Sequence, residues 1–289
     1  MTTILVTGAN GQLGCEISAL APKYSGYEFI FTDIGTLDLT DKDAVMNMIS
    51  ETKPSWIINC AAYTAVDKAE DDPAGAFAVN AAGPANIAAA IKGSDCRLIH
   101  ISTDYVFDGS SNTPYLETDE PCPDTVYGKS KLEGEVNVLV HPWTLIIRTA
   151  WLYSGFGVNF VKKIMQLLDE GREPDVVFDQ TGSPTYAAGL ADTILQIISG
   201  VIRNRHPLVP GIYNYSDEGV CSWYDIAETI AVHTGRPGLI RPCLSSEFPS
   251  KAHRPPYSVL NKQKIKDTYD IGIPHWQQNL ILCIEKLTN

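Results

Sequence analysis

The sequence predicts an α/β protein: a doubly wound parallel sheet with a smaller, discontinuous lobe supplied by the C-terminal half. Three observations carry this expectation. Between residues 3 and 148, short β-branched or apolar runs alternate with helical patterns, the rhythm of parallel strands joined by crossover helices. The first of these runs, Thr3-Ile-Leu-Val-Thr7, meets a series of three glycines, Gly8, Gly11 and Gly14, just ahead of a helical pattern. After Trp151 the parallel rhythm fades into shorter runs broken by proline and glycine. At 289 residues the chain suits one large domain, or a main domain with a companion. We place the division at residues 1–150 and 151–289, with part of 180–215 expected to pack back on the first unit.

Composition narrows the classes of function. An apolar fraction of 44% fits a soluble globular protein. With 34 acidic and 22 basic residues, the formal net charge of −12 repels phosphate backbones and anionic lipid surfaces, so neither nucleic acid nor a membrane is an expected partner. A phosphorylated small ligand would need local donors such as backbone N–H groups, a helix N-terminus or a few arginines. The seven cysteines are scattered and form no C-x-x-C, which reads as reduced thiols in a cytoplasmic protein. The six histidines form no ligand spacing, and no catalytic metal is expected. There is no charged leader backed by an apolar run, and no apolar stretch of spanning length.

The elements follow in order. Thr3–Thr7 is the first strand, and a helix is expected over Cys15–Ala21. Between them, Gly8 permits a tight turn, Gly11 lets backbone N–H groups approach a pyrophosphate, and Gly14 lets helix and strand pack closely. Strand, glycine turn and helix together point to a Rossmann-type dinucleotide site. Glu28–Asp33 is the second strand, and its terminal acid lies about twenty residues past the glycines, where a carboxylate accepts hydrogen bonds from a ribose diol. Asp33 therefore tilts the cofactor toward NADH, while a side chain turned aside would tolerate NADPH. A plain strand-end aspartate is the alternative. Asp38-Leu39 follows in a loop within reach of an adenine. Trp56–Ala62 reads as a third strand ending in small residues, and Ala74–Ile91 as an alanine-rich helix whose Asn80 amide ties loops together.

Arg97–Ile101 is the next strand, and it delivers Ser102-Thr103-Asp104 to the crevice where open α/β sheets bind ligands. Thr103 there can donate a hydrogen bond to a carbonyl oxygen, although capping of the strand end would also explain a hydroxyl. A proline- and acid-rich loop over 109–124 leads to a helix carrying Tyr127 and Lys131, which lie four residues apart and so on one face. A tyrosine titrates near ~10 and is a poor acid until a nearby cation lowers that value. Of the 13 tyrosines only Tyr127 has a lysine at this spacing. Taken alone the pair is equally compatible with a surface tyrosine beside a solvated lysine. Leu145–Arg148 is a further strand. Beyond Trp151, helices are expected over Asn159–Glu170, Leu190–Ser199 and Trp223–Thr234, with strands over Asp175–Gln180 and Gly211–Tyr215. The stretch 241–257 is proline-rich, and its Arg254 is a candidate for a substrate phosphate or a plain surface arginine.

Glycine turn, Ser/Thr pair and Tyr-x-x-x-Lys form the pattern of the extended short-chain dehydrogenase/reductases. Within that group, the strings NCAAYTAVDKAE, HISTDYVFDG, VYGKSKLEGE, RTAWLY and RPPYSVLNKQK resemble the dTDP-4-dehydrorhamnose reductase family over nearly the whole chain. The resemblance implies reduction of a 4-keto-6-deoxy sugar nucleotide, a dTDP-sugar, by NADPH or NADH. It implies Tyr127 as proton donor, Lys131 as the cation that lowers its pKa and grips the nicotinamide ribose, and Thr103 as a hydrogen-bond donor to the reacting oxygen. It further implies that Gly8, Gly11, Gln12, Leu13, Gly14, Asp33, Asp38, Leu39, Ala62, Tyr63, Thr64, Tyr127 and Lys131 line the cofactor, and that Thr103, Asp104, Trp151 and Arg254 face the substrate. Some members of the family pair through a magnesium ion held by three glutamates; Glu16 matches the first position, but Ala188 and Lys286 occupy the others. No metal is therefore expected, and a monomer or weak homodimer is. Two further readings stay open: a sugar-nucleotide epimerase or dehydratase of the same superfamily, and a non-catalytic regulatory subunit like that of methionine adenosyltransferase.

Overall fold

In the computed structural model, which describes residues 2–248 and 250–288, six parallel strands form one sheet. They are β1 (Thr2–Thr7), β2 (Tyr27–Thr32), β3 (Trp56–Asn59), β4 (Arg97–Thr103), β5 (Thr144–Thr149) and β6 (Gly211–Tyr215), in the spatial order β6-β5-β4-β3-β1-β2. Successive side chains of a strand point to opposite faces, and the sheet is apolar on both. On one face Ile4, Val6, Ile99 and Ile147 pack with Ile17 of α1 (Gln12–Leu20) and with Leu190, Ile194 and Ile198 of a long helix, Ala187–Ile202. On the other face Leu5, Ile57, Leu98 and Ile146 pack with Val45 and Ile49 of α2 (Lys42–Thr52), Ile87 of α3 (Gly83–Ala90) and Val138 of α4 (Val126–Leu139).

Side-chain caps define where these helices begin. Asp41 Oδ1 accepts the Ala44 N–H at 3.0 Å ahead of α2, and Thr125 Oγ1 accepts the Gly128 N–H at 3.0 Å ahead of α4. Such a cap satisfies one of the orphan donors of the first turn. By contrast, α1 starts at Gly11 with no side-chain cap.

The lobe is built on α5 (Phe160–Asp169), α7 (Trp223–His233) and α8 (Trp276–Thr288), with the Ala187–Ile202 helix, α6, lying between α5 and α7 in the chain. Its core joins Val161, Ile164 and Leu168 to Ile226, Ile230, Leu280 and Ile284. Its strands are pairs of two or three residues: 152–153 with 185–186, 181–182 with 221–222, and 175–177 with 241–243.

Several elements differ from the sequence reading, each for a local reason. The first helix begins at Gln12, inside the glycine series, and yields to a short 3-10 turn over Ala21–Tyr24 that contains Pro22. β3 stops at Asn59, where its pairing with β1 ends at Thr7 and its pairing with β4 ends at His100. β4 runs on to Thr103 because Arg148 and Thr149 of β5 continue the ladder. The expected Ala74–Ile91 helix is interrupted by a π turn over Ala78–Ala82, and the strand expected over 175–180 ends at Val177. β6, which comes from the half with little parallel rhythm, is an edge strand of the main sheet beside β5.

Candidate active site

The carboxyl ends of β1, β3, β4 and β5 open into a cleft of about 870 Å³, closed on its far side by the lobe. Gly8 turns the chain at the end of β1 with φ +66°, and a Cβ there would stand 2.6 Å from the Ala61 backbone nitrogen. A side chain at position 14 would stand 2.5 Å from the Gly8 carbonyl oxygen. The turn is thus drawn as tight as backbone allows, and the uncapped N-terminus of α1 opens beside it. Free N–H groups at a helix N-terminus beside a side-chain-free turn make a cradle for a pyrophosphate. The residues present fit a dinucleotide.

Gly8, Gly11, Gln12, Leu13, Gly14, Asp33, Asp38, Leu39, Ala62, Tyr63 and Thr64 all line this cleft, and so do Thr103, Asp104, Tyr127, Lys131 and Trp151. Asp33 stands at the end of β2, where Oδ2 accepts the Asn10 N–H and Oδ1 the Ile34 N–H, both at 2.8 Å. Bonds from the Thr40 N–H and hydroxyl hold the exposed Asp38 carboxyl below its ordinary range. Gln12 spans the cleft: Nε2 donates to the Leu152 carbonyl and Oε1 accepts from Asn159 Nδ2 at 3.0 Å.

Tyr127 and Lys131 sit on the first two turns of α4, both buried and both facing the cleft. A buried amide network holds this helix in place. In the π turn, Asn80 Oδ1 accepts the Tyr63 N–H at 2.8 Å, and Nδ2 donates to the Tyr63 carbonyl and to Ser130 Oγ. Ser130 Oγ in turn donates to the Tyr127 carbonyl at 2.8 Å. Asn80 thereby ties a cleft loop to the helix, as its place in the sequence suggested. π turns are frequent at functional sites, and here the turn packs so closely that a Cβ at Gly134 would meet the Asn80 carbonyl oxygen at 2.1 Å.

The electrostatics differ from the sequence expectation in one respect. Burial pushes the Tyr127 phenol above its ordinary value; a hydrogen bond with Thr103 works against this, while the charges of Asp104 and Tyr105 add to it. Lys131 does not make the phenol acidic in this structure. Its Nζ donates to the Ile101 carbonyl at 2.6 Å, and burial lowers the ammonium to about 8 against the opposing pull of Glu135 and Cys60. Desolvation penalises both charged forms, which a pattern of residue types does not reveal. Thr103 Oγ1 donates to Asp104 Oδ1 at 3.0 Å and accepts the Tyr105 N–H. Burial raises the Asp104 carboxyl to about 7, partly offset by the hydrogen bond from Thr103, and Oδ2 has no hydrogen-bond partner.

The opposite wall is aromatic. Trp151, with φ +49°, stacks on Trp223 with ring centroids 3.9 Å apart and planes within 15°, and Phe160 tilts against Trp223 at 4.7 Å. A left-handed backbone at a bulky residue costs of order 1–3 kcal/mol and persists where its surroundings hold it. Trp223, Phe160, Pro184 and Ile226 line the cleft but were not singled out from the sequence, since they come from three separate segments of the lobe, Trp223 and Ile226 sharing α7.

Arg254 lies outside the cleft lining, one contact away from it: Nη2 donates to Asp67 Oδ2 at 2.5 Å and Nη1 to the hydroxyl of Tyr105, which does line the cleft, at 3.0 Å. Its charge is answered within the chain. Glu16 Oε1 accepts from Ser154 Oγ at 2.7 Å, and Lys286 Nζ donates to the Tyr186 hydroxyl at 2.9 Å. Among the described residues, no group of three or more His, Cys, Asp or Glu side chains is placed to hold a metal ion. Nor is any helix long and apolar enough to cross a membrane.

The family model described as "RmlD substrate binding domain" matches residues 1–289. The chain is 39% identical over 288 residues to a dTDP-4-dehydrorhamnose reductase of Aggregatibacter actinomycetemcomitans, covering 97% of each sequence. Its structure is similar to the crystal structure of a dTDP-4-dehydrorhamnose reductase from Clostridium acetobutylicum, with a TM-score of 0.91, 43% identity and full coverage of both chains. It is likewise similar to that of a dTDP-4-dehydrorhamnose reductase from Bacillus anthracis in complex with NADP, with a TM-score of 0.92 and 36% identity over 99% of this chain and 100% of that one.

Proposed function

The chain belongs to the dTDP-4-dehydrorhamnose reductase family, whose RmlD substrate-binding model spans it from end to end, and from that membership we propose that it reduces the 4-keto group of dTDP-4-dehydrorhamnose to give dTDP-L-rhamnose. The observation that carries the reading is the meeting of Thr103, Tyr127 and Lys131 in one cleft with the glycine turn. NADPH or NADH, when bound, supplies the hydride for the keto carbon. The N-terminus of α1 and the Gly8–Gly14 turn hold the pyrophosphate, Asp33, Asp38 and Leu39 meet the adenosine end, and Ala62, Tyr63 and Thr64 flank the middle. Lys131 grips the nicotinamide ribose.

Tyr127 donates the proton that the substrate oxygen takes up as negative charge develops on it. Burial favours the neutral phenol, so the hydroxyl is fully protonated at neutral pH and ready to donate. Its acidity has to rise at the moment of reaction, when Lys131 and the hydroxyl of Thr103 act on the developing phenolate. Thr103 bonds the same substrate oxygen and fixes its position. Asp104 and Trp151 contact the sugar, with Trp223 and Phe160 behind Trp151. Substrate recognition falls to residues 151–289, and cofactor binding to 1–150 with the part of 180–215 that packs on the sheet. The chain acts as a monomer or weak homodimer without a metal.

The test is to follow absorbance of the reduced cofactor with the ketosugar nucleotide, using NADPH and NADH in parallel. One cofactor oxidised per sugar is expected. Conversion of the sugar with no net oxidation would identify an epimerase or dehydratase. No turnover, together with capture of a methionine adenosyltransferase, would identify a regulatory subunit.

A further inference from the structure

Below the cleft, at the Ser102 end of β4, lies an ion pair that the reaction itself does not use. Glu135 follows Lys131 by one turn on α4, and Arg148 lies on β5; both side chains are 1% exposed. Arg148 Nε donates to Glu135 Oε1 at 2.9 Å, Nη2 donates to Oε2 at 2.7 Å, and the guanidinium rests over the Phe107 ring. Ser102 Oγ donates to the same Oε1 at 2.5 Å. Ser102 is the neighbour of Thr103 in sequence and the partner of Arg148 in the β4–β5 register.

A buried ion pair is poor evidence of stability, because the desolvation of its two charges offsets their attraction and an apolar replacement of similar size is often neutral or stabilising. A buried pair at this spot calls for another explanation. We propose that Glu135 is a positioning residue for the reductase site: its carboxylate, oriented by Arg148, ties the Thr103 end of β4 to α4 and supplies the counter-charge of the Lys131 ammonium. The proposal rests on the reading that Lys131 holds the cofactor.

The other titratable groups around Lys131 do not take this role. Cys60 is pushed up to about 12 by burial and stays a thiol, and His100 is kept neutral by burial and by Lys131 itself. Arg148, the remaining charge, faces Glu135. Burial alone disfavours the ammonium, and Glu135 is the larger of the two influences opposing it. Without that carboxylate, Lys131 loses its proton at a lower pH. Without the Ser102 bond, the Thr103 end of β4 keeps only the Lys131 Nζ–Ile101 carbonyl bond to the helix that carries Tyr127 and loses its tie to the Glu135 carboxylate.

The experiment is a pH series of NADPH affinity for the full chain, read by the fluorescence of the reduced nicotinamide. For the unaltered protein, affinity is expected to fall above about pH 8 as Lys131 is discharged. Glu135→Gln is expected to move the midpoint of that fall toward lower pH by roughly one unit. Because this change leaves Arg148 buried without a partner, the double variant Glu135→Gln with Arg148→Met is measured beside it, with circular dichroism as the check on folding. It removes both charges and is expected to move the midpoint in the same direction. A folded variant whose midpoint stays put overturns the proposal while leaving the reductase reading intact. An unaltered chain that binds neither NADPH nor NADH removes both. Ser102→Ala, which keeps both charges, is expected to leave the midpoint in place and lower kcat several-fold; an unchanged kcat would remove the tethering half of the proposal.

Discussion

One wall of the cleft stands on six parallel strands of four to seven residues, whereas the other rests on helices and on strand pairs of two or three residues. The two walls also present different chemistry. The sheet side brings a buried lysine, a phenol, a threonine and a carboxyl group (Asp104) to the end of β4 and the first turns of α4, with Glu135 below them, held by hydrogen bonds within and between these elements. The lobe side presents the faces of Trp223 and Phe160, against which Trp151 leans. Proton transfer depends on the placement of a few polar atoms, and a regular ladder can hold them. An aromatic wall tolerates small shifts, because stacking and apolar contact fall off gently with position.

If that division holds, changes on the two walls should separate in kinetics. The largest effect is expected from Tyr127→Phe. Positioned proton transfer is worth ~10²–10⁴-fold, so turnover should fall by at least about tenfold while NADPH still binds; near-normal turnover would end the assignment. Trp223→Ala comes next. Loss of an aromatic partner is worth ~0.5–1.5 kcal/mol beyond its buried area, so KM for the sugar nucleotide should rise roughly tenfold with little change in kcat. A fall in kcat at constant KM would erase the contrast between the walls.

Two buried carboxyl groups sharpen it further. Burial raises both Asp104, on the sheet side, and Asp217, in the lobe, to about 7. Each holds a proton in the folded chain up to that value but only to about 3.9 when unfolded. Between those limits the folded state binds more protons, so stability falls as pH rises from about 4 to 7, and the cost is complete above 7. Asp104 Oδ2 has no partner, so Asp104→Asn should raise Tm at pH 8 by about 2–4 °C, with the gain vanishing near pH 4. Asp217 instead accepts from Asn279 Nδ2 and the Tyr186 N–H, and an asparagine there must satisfy the same donors; Asp217→Asn should lower Tm at pH 8. Thermal melts of both variants across that range would show it, and equal shifts would contradict the difference in their surroundings.

Arg254→Met is expected to do least. Its pair with Asp67 is half exposed, a setting in which ion pairs contribute ~0–1 kcal/mol, so KM should change by less than about twofold. A tenfold rise would return Arg254 to the substrate phosphate.

What could be read from residues alone follows the same split. Short β-branched and apolar runs placed β1 and β2, because the signal of a strand lies within a few consecutive residues. The glycine turn and the Tyr127–Lys131 spacing led to the cleft for the same reason: their geometry is set within a few residues. Glu135 and Arg148 were passed over because their meaning lies in a pairing 13 residues apart that only the β5–α4 packing creates. Trp223 and Phe160 are 63 positions apart, and nothing local announces that they touch. The pairing of Arg254 was not legible because its partners, Asp67 and Tyr105, lie 187 and 149 residues away. The fate of the phenol turned on burial, a property of the assembled chain.

The placement of β6 reaches beyond the cleft. When the ribosome has released only the first 150 residues, the nascent chain holds five strands and a bare β5 edge, whose natural neighbour is still some sixty codons away. Exposed edges recruit other chains, so the emerging protein is most open to wrong association during that interval. A truncation ending at 150 would carry the same vulnerability permanently, and a usable minimal fragment has to extend past Tyr215.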